Sequence, residues 1–113
     1  MSAVTLAAGR AGRISIELPA GHDLVTHRGD AMRDTIRPGT VLLVDRGDRL
    51  PSPPGLFLLD RKIGEEVRRV EVIPNSRPLR ARVSTDNDAY EPFEVLVDQL
   101  QIAGRVVGSF LQH

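Results

Sequence analysis

Few side chains in this sequence could carry out covalent chemistry, and their types limit the possible reactions. There is no cysteine, which excludes a thiolate nucleophile, a disulfide framework and a thiolate metal site. Fourteen of the fifteen basic residues are arginine, and Lys62 is the single lysine. A buried lysine can lose its proton and act as a base, whereas arginine stays charged. Because His22, His27 and His113 show no metal-ligand spacing, we expect them on the solvated surface and expect no metal or other cofactor.

One segment, residues 29–45, reads Gly-Asp-Ala-Met-Arg-Asp-Thr-Ile-Arg-Pro-Gly-Thr-Val-Leu-Leu-Val-Asp. It resembles the Gly-Asp-Ser-Met segment of the LexA and phage-repressor self-cleaving peptidase domains. In that family a serine nucleophile occupies the position held here by Ala31, and a lysine on a later strand is its general base. The methyl group of Ala31 cannot attack a carbonyl carbon, so the resemblance implies the family's fold more strongly than its activity.

Further blocks resemble the same family in the same order, and together the blocks cover residues 24–111. Segment 55–59 resembles the family's glycine-led strand, 66–70 the strand that carries the lysine, 84–93 an Asn-x-x-Tyr-x-Pro turn, and 102–108 the closing strand. Several blocks in family order are more specific than one motif. The resemblance implies a LexA/signal-peptidase-like, β-strand-rich single domain.

Alignment with the family places Arg68 at the position of the catalytic lysine. Alternation along a strand then puts Arg68 on the same face as Val70, toward the core and the site, and Arg69 on the other face. A Ser/Lys dyad needs an uncharged amine within hydrogen-bond reach of a hydroxyl. Arg68 cannot supply it. We expect Arg68 to be a partly buried structural arginine that pairs with Asp30 or Glu66.

Two explanations account for Ala31 and Arg68 at the dyad positions. In the first, the domain is a catalytically inactive relative that acts as a dimerisation or protein-interaction module in transcriptional regulation, as a homodimer or with a full-length repressor. In the second, it is a Ser/Lys autopeptidase captured as an inactive variant in which alanine replaces serine. Two altered positions favour the first explanation. A third class, a DNA-binding regulator, needs a helix-turn-helix that residues 1–23 cannot form, so we expect no direct DNA binding by this chain.

Along most of the chain, apolar and polar residues alternate with a period of two, and glycine and proline are frequent. This pattern predicts a mainly β fold with at most a short helical turn, whose strands position the residues above. That turn falls at residues 32–37, and the prolines of residues 47–55 predict a surface loop. The predicted strands are 14–18, 24–27, 41–44, 56–59, 66–73, 79–83, 93–97 and 102–111. Nine apolar residues are predicted to be buried: Met32, Ile36, Leu42, Val44, Leu58, Val70, Val83, Phe93 and Val106.

Length and charge set the outer limits of the molecule. The 113 residues, 41% of them hydrophobic, suit one modest core, which we place in a domain at 13–113 after a flexible tail at 1–12. Ala8-Gly9 and Ala11-Gly12 match the dipeptide that family enzymes cut, although a tail of small residues also explains them. Fifteen basic and fifteen acidic residues give no overall attraction to nucleic acid or membranes. Lacking a long apolar stretch and a secretion signal, the chain is expected to be cytoplasmic and not membrane-bound.

The C-terminal segment, residues 102–111, carries apolar residues on both faces, with Val106 and Phe110 on one and Val107 and Leu111 on the other. A strand at a sheet edge needs two apolar faces only if something covers the second one. In the resembled family this region lies at the dimer interface. The resemblance therefore implies a two-fold homodimer whose interface includes Val107, Ser109 and Leu111. Alternatively, Leu111 folds back onto its own chain.

Overall fold

The structure, a computed structural model, describes residues 2–7, 13–33 and 35–110. It is mainly β, with 51% of residues in strands and no helix of seven or more residues in the described part. The prediction of a mainly β fold with at most a short helical turn is confirmed. The strands are β1 Ser2–Ala7, β2 Arg13–Leu18, β3 His22–Thr26, β4 Val41–Asp45, β5 Gly55–Arg61, β6 Gly64–Ile73, β7 Arg80–Ser84, β8 Phe93–Leu96 and β9 Ile102–Phe110, with a 3-10 turn at Val97–Gln99.

Seven strands form one sheet in the order β3-β4-β9-β5-β6-β7-β8, and all of its pairs are antiparallel. Strands β5, β6, β7 and β8 follow one another as hairpins. The chain then returns, and β9 is inserted between β4 and β5. The edges of the sheet are therefore β3 and β8, and the C-terminal strand β9 lies in its interior.

The interface prediction assumes that the last strand lies at an edge of the sheet. This assumption is wrong, because β9 lies between β4 and β5. Both sides of β9 are paired, and both ladders are irregular. Val107 is the unpaired residue between the pairs Leu43–Gly108 and Val44–Val106. A β-bulge of this kind bends the strand and re-aims the extra side chain. Val107 is 48% accessible on the sheet surface.

Strands β1 and β2 form a separate two-stranded antiparallel sheet. The sequence predicts a flexible tail over residues 1–12, and within that range Ser2–Ala7 instead pair along β2. Pairing gives the backbone N–H and C=O groups of this segment partners, an effect of long-range structure that composition does not indicate. The dipeptides Ala8-Gly9 and Ala11-Gly12 lie outside the described residues.

Two buried apolar clusters lie on opposite faces of the large sheet, because successive residues of β5 belong to different clusters. The first packs the loop after β3 against β4, β5 and β6, and consists of Met32, Ile36, Leu42, Val44, Leu58 and Val67. The second joins β5 to β6 and β7, and consists of Phe57, Leu59, Val70, Ala81 and Val83. The first cluster supports the loop that carries Ala31.

The core prediction is confirmed at seven of nine positions, which are Met32, Ile36, Leu42, Val44, Leu58, Val70 and Val83. Val106 is half-buried and packs against the first cluster. The prediction for Phe93 is wrong, because Phe93 begins the edge strand β8 and is 43% exposed. The Arg61 guanidinium lies over its ring, 5.6 Å from the centroid, and takes the place of an apolar cover.

Candidate functional site

A cleft of about 480 Å³ separates the loop after β3 from the β5–β6 hairpin. Ala31 and Arg68, the two residues predicted from the sequence, both line it. His27, Glu66 and Tyr90 also contribute to its walls. The fold therefore brings the two predicted positions, which are 37 residues apart in the sequence, into one concave surface.

The loop with Ala31 is held at both ends by backbone hydrogen bonds. After β3, the N–H of His27 donates to the Thr40 carbonyl at 2.8 Å, and the N–H of Gly39 donates to the His27 carbonyl at 2.8 Å. Gly39 has a φ of 91°, in agreement with the type II turn that Pro38-Gly39 favours. Within the loop, the N–H of Ile36 donates to the Met32 carbonyl at 2.7 Å, which closes the predicted helical turn.

The turn after β7 fastens this loop from the other side. Asn87, which is 3% exposed, donates from Nδ2 to the Asp30 carbonyl at 2.9 Å and from its backbone N–H to the Ala31 carbonyl at 3.0 Å. The Tyr90 hydroxyl donates to Asp30 Oδ1 at 2.6 Å. The sequence identifies this segment as an Asx turn and as a family block, but it does not reveal these contacts. They tie the carbonyl groups of Asp30 and Ala31 to the turn after β7.

An ion pair reinforces the same junction. Asp86 accepts hydrogen bonds from Arg69 Nε and Nη2 at 2.9 and 2.8 Å, and the Thr35 hydroxyl donates to the same carboxylate. The hydrogen bonds from Arg69 hold the pKa of the Asp86 carboxyl below its usual value. Strand β6 is thereby tied to the loop that contains Thr35 through the side chain of Arg69. The prediction that Arg69 points away from the site is wrong, because Arg69 shares its face of β6 with Val67, which packs beneath this loop.

Arg68 is held by its own strand. Its Nη2 lies 3.1 Å from Glu66 Oε2, and its Nη1 donates to the Val67 carbonyl at 2.7 Å. The side chain is 16% exposed. The predicted pairing of a partly buried Arg68 with Glu66 is confirmed, whereas Asp30, the other predicted partner, accepts from Tyr90 instead. The guanidinium remains a cation that can donate hydrogen bonds and cannot accept a proton.

The cleft lacks the groups of a nucleophilic dyad. Among its described lining residues there is no serine, cysteine or lysine. Lys62 lies in the exposed turn between β5 and β6 and does not line the cleft. The hydroxyls present belong to Thr26 and Tyr90; Tyr90 donates to Asp30, and Thr26 bonds to neither histidine nor lysine in the described chain. The hydrogen bond to the Asp30 carboxylate raises the pKa of the Tyr90 hydroxyl, so Tyr90 is not an activated nucleophile.

His27 is the residue that the sequence-based interpretation places wrongly. The sequence predicts a position on the solvated surface, but His27 is 4% exposed. Its backbone N–H pairs with the Thr40 carbonyl just after β3, which places the side chain beneath the loop. Its Nε2 has no hydrogen-bond partner among the described residues. Burial, and then the positive charge of Arg68, lower the pKa of the His27 imidazole below 6.5. A neutral, buried imidazole therefore forms part of the cleft wall.

The burial of His27 predicts a loss of stability in mild acid. Its pKa is lower in the folded state than in the unfolded chain, so the unfolded chain binds more protons as the pH falls below about 6.5. The free energy of unfolding should then decrease as the pH falls from that value through the lowered pKa. Urea unfolding at several pH values between neutral and mildly acidic checks this. His27→Gln should lose less stability over the same window, and equal losses in both proteins would contradict the assignment.

The predicted interface residues on β9 are accessible where the structure describes them. Val107 and Ser109 are exposed, and Leu111 lies outside the described residues. Phe110, next to Ser109, is also 37% exposed. The exposed residues at the described end of β9 therefore include Val107 and Ser109, two of the three residues that the sequence indicates.

Within the described chain, no helix has both the length and the apolar character needed to cross a membrane. No group of three histidine, aspartate or glutamate side chains that could hold a metal ion occurs among the described residues. Comparison of the chain with protein-family models and with curated protein sequences gave no match.

Proposed function

We propose that this chain is a catalytically inactive LexA/phage-repressor-like peptidase domain that acts as a dimerisation or protein-interaction module in transcriptional regulation. The observation that carries the proposal is that Ala31 and Arg68 line one cleft. In a Ser/Lys peptidase these positions hold a hydroxyl and an uncharged amine. Here they hold a methyl group and a guanidinium paired with Glu66, so no proton transfer can start the reaction.

The alternative, a Ser/Lys autopeptidase in which alanine replaces serine, requires a base that the cleft does not supply. Arg68 stays protonated, and Lys62 lies in the exposed β5–β6 turn. Restoring serine at position 31 would therefore return a nucleophile without its base. The arrangement of Arg68, with one bond to Glu66 and one to the Val67 carbonyl, supports a structural role at the position where the family has its lysine.

Two observations support association through a face of the sheet: Val107 on β9 is exposed, and two backbone N–H groups of the edge strand β3 already have acceptors. At the edge strand β3, the N–H of Leu24 donates to Asp23 Oδ1 at 2.8 Å, and the N–H of His22 donates to the Pro19 carbonyl at 3.2 Å. Edge donors that are already occupied do not favour the addition of another strand. The exposed Val107 makes the β9 surface the better candidate for contact with a second copy.

In this role the module lies in the cytoplasm, where it forms a homodimer or pairs with a full-length repressor. It makes no DNA contact of its own, in line with its zero net charge. In a pair with a repressor, the module would change the regulator's assembly without cutting it.

Sedimentation equilibrium tests the dimer. We expect the wild-type chain to be dimeric at micromolar concentration, and we expect Val107→Asp to weaken the dimer by at least about tenfold, because a charge would be buried in an apolar contact. Ile63→Asp is the matched control, since Ile63 is 92% exposed in the β5–β6 turn and is not part of β9. A wild-type chain that stays monomeric, or a dimer that Val107→Asp leaves intact in a folded protein, would contradict the predicted interface.

A further inference from the structure

Strand β8, one edge of the large sheet, has backbone groups that face away from the protein. In an antiparallel ladder, residue pairs that exchange hydrogen bonds alternate with pairs that do not. The N–H of Val97 donates to the Leu79 carbonyl at 3.0 Å, so the backbone groups of Val95, two residues earlier, also face β7. Those of Glu94 and Leu96 therefore point outward, where the described chain supplies no further strand.

The two edges of the sheet differ in this respect. On β3, the N–H groups of His22 and Leu24 already donate to acceptors close to them in the sequence. On β8, the N–H groups of Glu94 and Leu96 donate to no acceptor among the described residues. Unpaired backbone groups along an edge form a template for another strand, and many proteins bind extended peptides in this way. Of the two edges, β8 is the one that can accept a strand.

The exposed charges of β8 and of its flanks are negative. Glu94 lies on the strand, Glu91 precedes it and Asp98 follows it, and residues 83–104 contain five acidic residues and no basic one. All three side chains are exposed, and none forms an ion pair with a described residue. These three carboxylates form an acidic rim along the open edge.

The guanidiniums of this part of the sheet do not neutralise the acidic rim. Arg80 and Arg82 lie on β7, one strand inward, and Arg82 is opposite Glu94 in the ladder without forming an ion pair with it. Arg61 lies over the Phe93 ring, where it faces the π-electrons. The side chains that an added strand would meet first are therefore those of the acidic rim.

We propose that β8 binds an extended basic segment of another protein, which adds to the sheet as a strand and bonds to the backbone of Glu94 and Leu96. Its apolar side chains would pack beside Val95 and Phe93, which is 43% exposed, on one face of the sheet. Its lysine or arginine side chains, alternating with the apolar ones, would reach Glu94 on the other face. A second β8 fits less well, because it would bring another set of carboxylates to the acidic rim. The inference goes beyond the proposed function and does not depend on it.

Amide exchange with water in the ¹⁵N-labelled full chain tests the proposal, with the peptide acetyl-Lys-Val-Lys-Val-Lys-Val-amide as the probe at constant ionic strength. The peptide should slow the exchange of the Glu94 and Leu96 amides in a saturable way, because each N–H gains an acceptor. The amide of Val95, which already bonds to β7, should change little. The absence of a saturable change at Glu94 and Leu96 would overturn the proposal.

The preference for a basic partner is tested with two further peptides, in which glutamate or serine replaces each lysine. Both should protect the Glu94 and Leu96 amides less than the lysine peptide does. Equal protection by either peptide would show that charge does not select the partner. Protection that rises with protein concentration in the absence of peptide would show that a second copy occupies the edge. Either result would overturn the proposal.

Two substitutions at position 94 separate strand addition from simple attraction between charges, with the affinity read from the Leu96 amide. Glu94→Gln keeps the N–H and removes the charge, so it should weaken binding of the lysine peptide by about twofold to fivefold. Glu94→Pro also removes the outward N–H, and an edge strand tolerates proline where the N–H faces solvent. It should weaken binding by about tenfold or more.

Glu71→Gln is the matched control. Glu71 is exposed on the interior strand β6 and forms no ion pair with a described residue, so its loss should leave the affinity for the peptide unchanged. Dispersed amide spectra show that the variants are folded. Equal affinity in Glu94→Gln and Glu71→Gln, or in a folded Glu94→Pro and Glu71→Gln, would show that the β8 edge does not hold the peptide and would overturn the proposal.

Discussion

Leu58→Ala is expected to lower the free energy of unfolding by about 2 to 5 kcal/mol, because it removes transfer energy and leaves a cavity. Leu58 is 1% exposed and packs with Met32 and Val67 in the cluster beneath the loop. It also lines the cleft, so its loss should loosen the support of Ala31. Urea unfolding at neutral pH, followed by circular dichroism, measures the change.

Leu50→Ala is the matched control for this prediction. Leu50 is 71% exposed in the proline-rich loop before β5, so the same chemical change should alter stability by no more than about 0.5 kcal/mol. If both variants unfold at the same urea concentration as the wild type, Leu58 is not in the core and the assignment of β5 is wrong.

Gly104→Ala is expected to cost about 3 kcal/mol through a steric clash inside the sheet. A Cβ at this position would lie 2.6 Å from Val44 Cγ1 and 2.8 Å from the carbonyl oxygen of Asp45. Gly104 is in β9, which is paired with β4 and β5, so β9 cannot move away without breaking a ladder on one side. Thermal and urea unfolding should both show the loss.

Gly108→Ala tests whether the loss at Gly104 comes from the clash or from the residue type. Gly108 is on the same strand, and a Cβ there would approach Leu43 no closer than 3.7 Å, an ordinary contact. We expect no loss of stability, since alanine also reduces the freedom of the unfolded chain. Equal losses in both variants would contradict the close approach of β9 to β4 at Gly104.

The strands could be predicted from the sequence because the alternation of apolar and polar side chains involves only neighbouring residues. The order of the strands in the sheet could not be predicted in this way. The runs at 41–44, 56–59 and 66–73 coincide with β4, β5 and β6 within a few residues. The insertion of β9 between β4 and β5 depends on pairing over long sequence separations, which no local pattern encodes. The exposure of Phe93 has the same origin, since it is apolar but begins a strand with no neighbour on its outer side.

The two central site residues could be predicted for a different reason. Ala31 and Arg68 come from a motif and its spacing, and the structure brings both to one cleft. The contacts of Asn87 and Tyr90 join residues 57 and 60 positions apart, so they required the folded chain. Histidine alone carries no signal of burial, and the position of His27 under the loop depends on its pairing with Thr40.

Under the proposed function, no single substitution should produce an active peptidase. Ala31→Ser would restore only a hydroxyl, and Arg68→Lys would restore only an amine. An amine at position 68 would also have to give up its proton beside Glu66, whose negative charge favours the protonated form. Each single variant should therefore remain intact, and only the double variant has both groups of a dyad.

Intact-mass spectrometry of the wild-type chain tests the central claim most directly. The protein is incubated at mildly alkaline pH for a day, a condition that favours any lysine base by removing its proton. We expect an unchanged mass for the wild type and for Ala31→Ser, with slow cleavage in the double variant Ala31→Ser, Arg68→Lys as the positive control. Wild-type fragments that begin at Gly9 or Gly12 would contradict the account, because they would show that the chain cuts itself without the dyad.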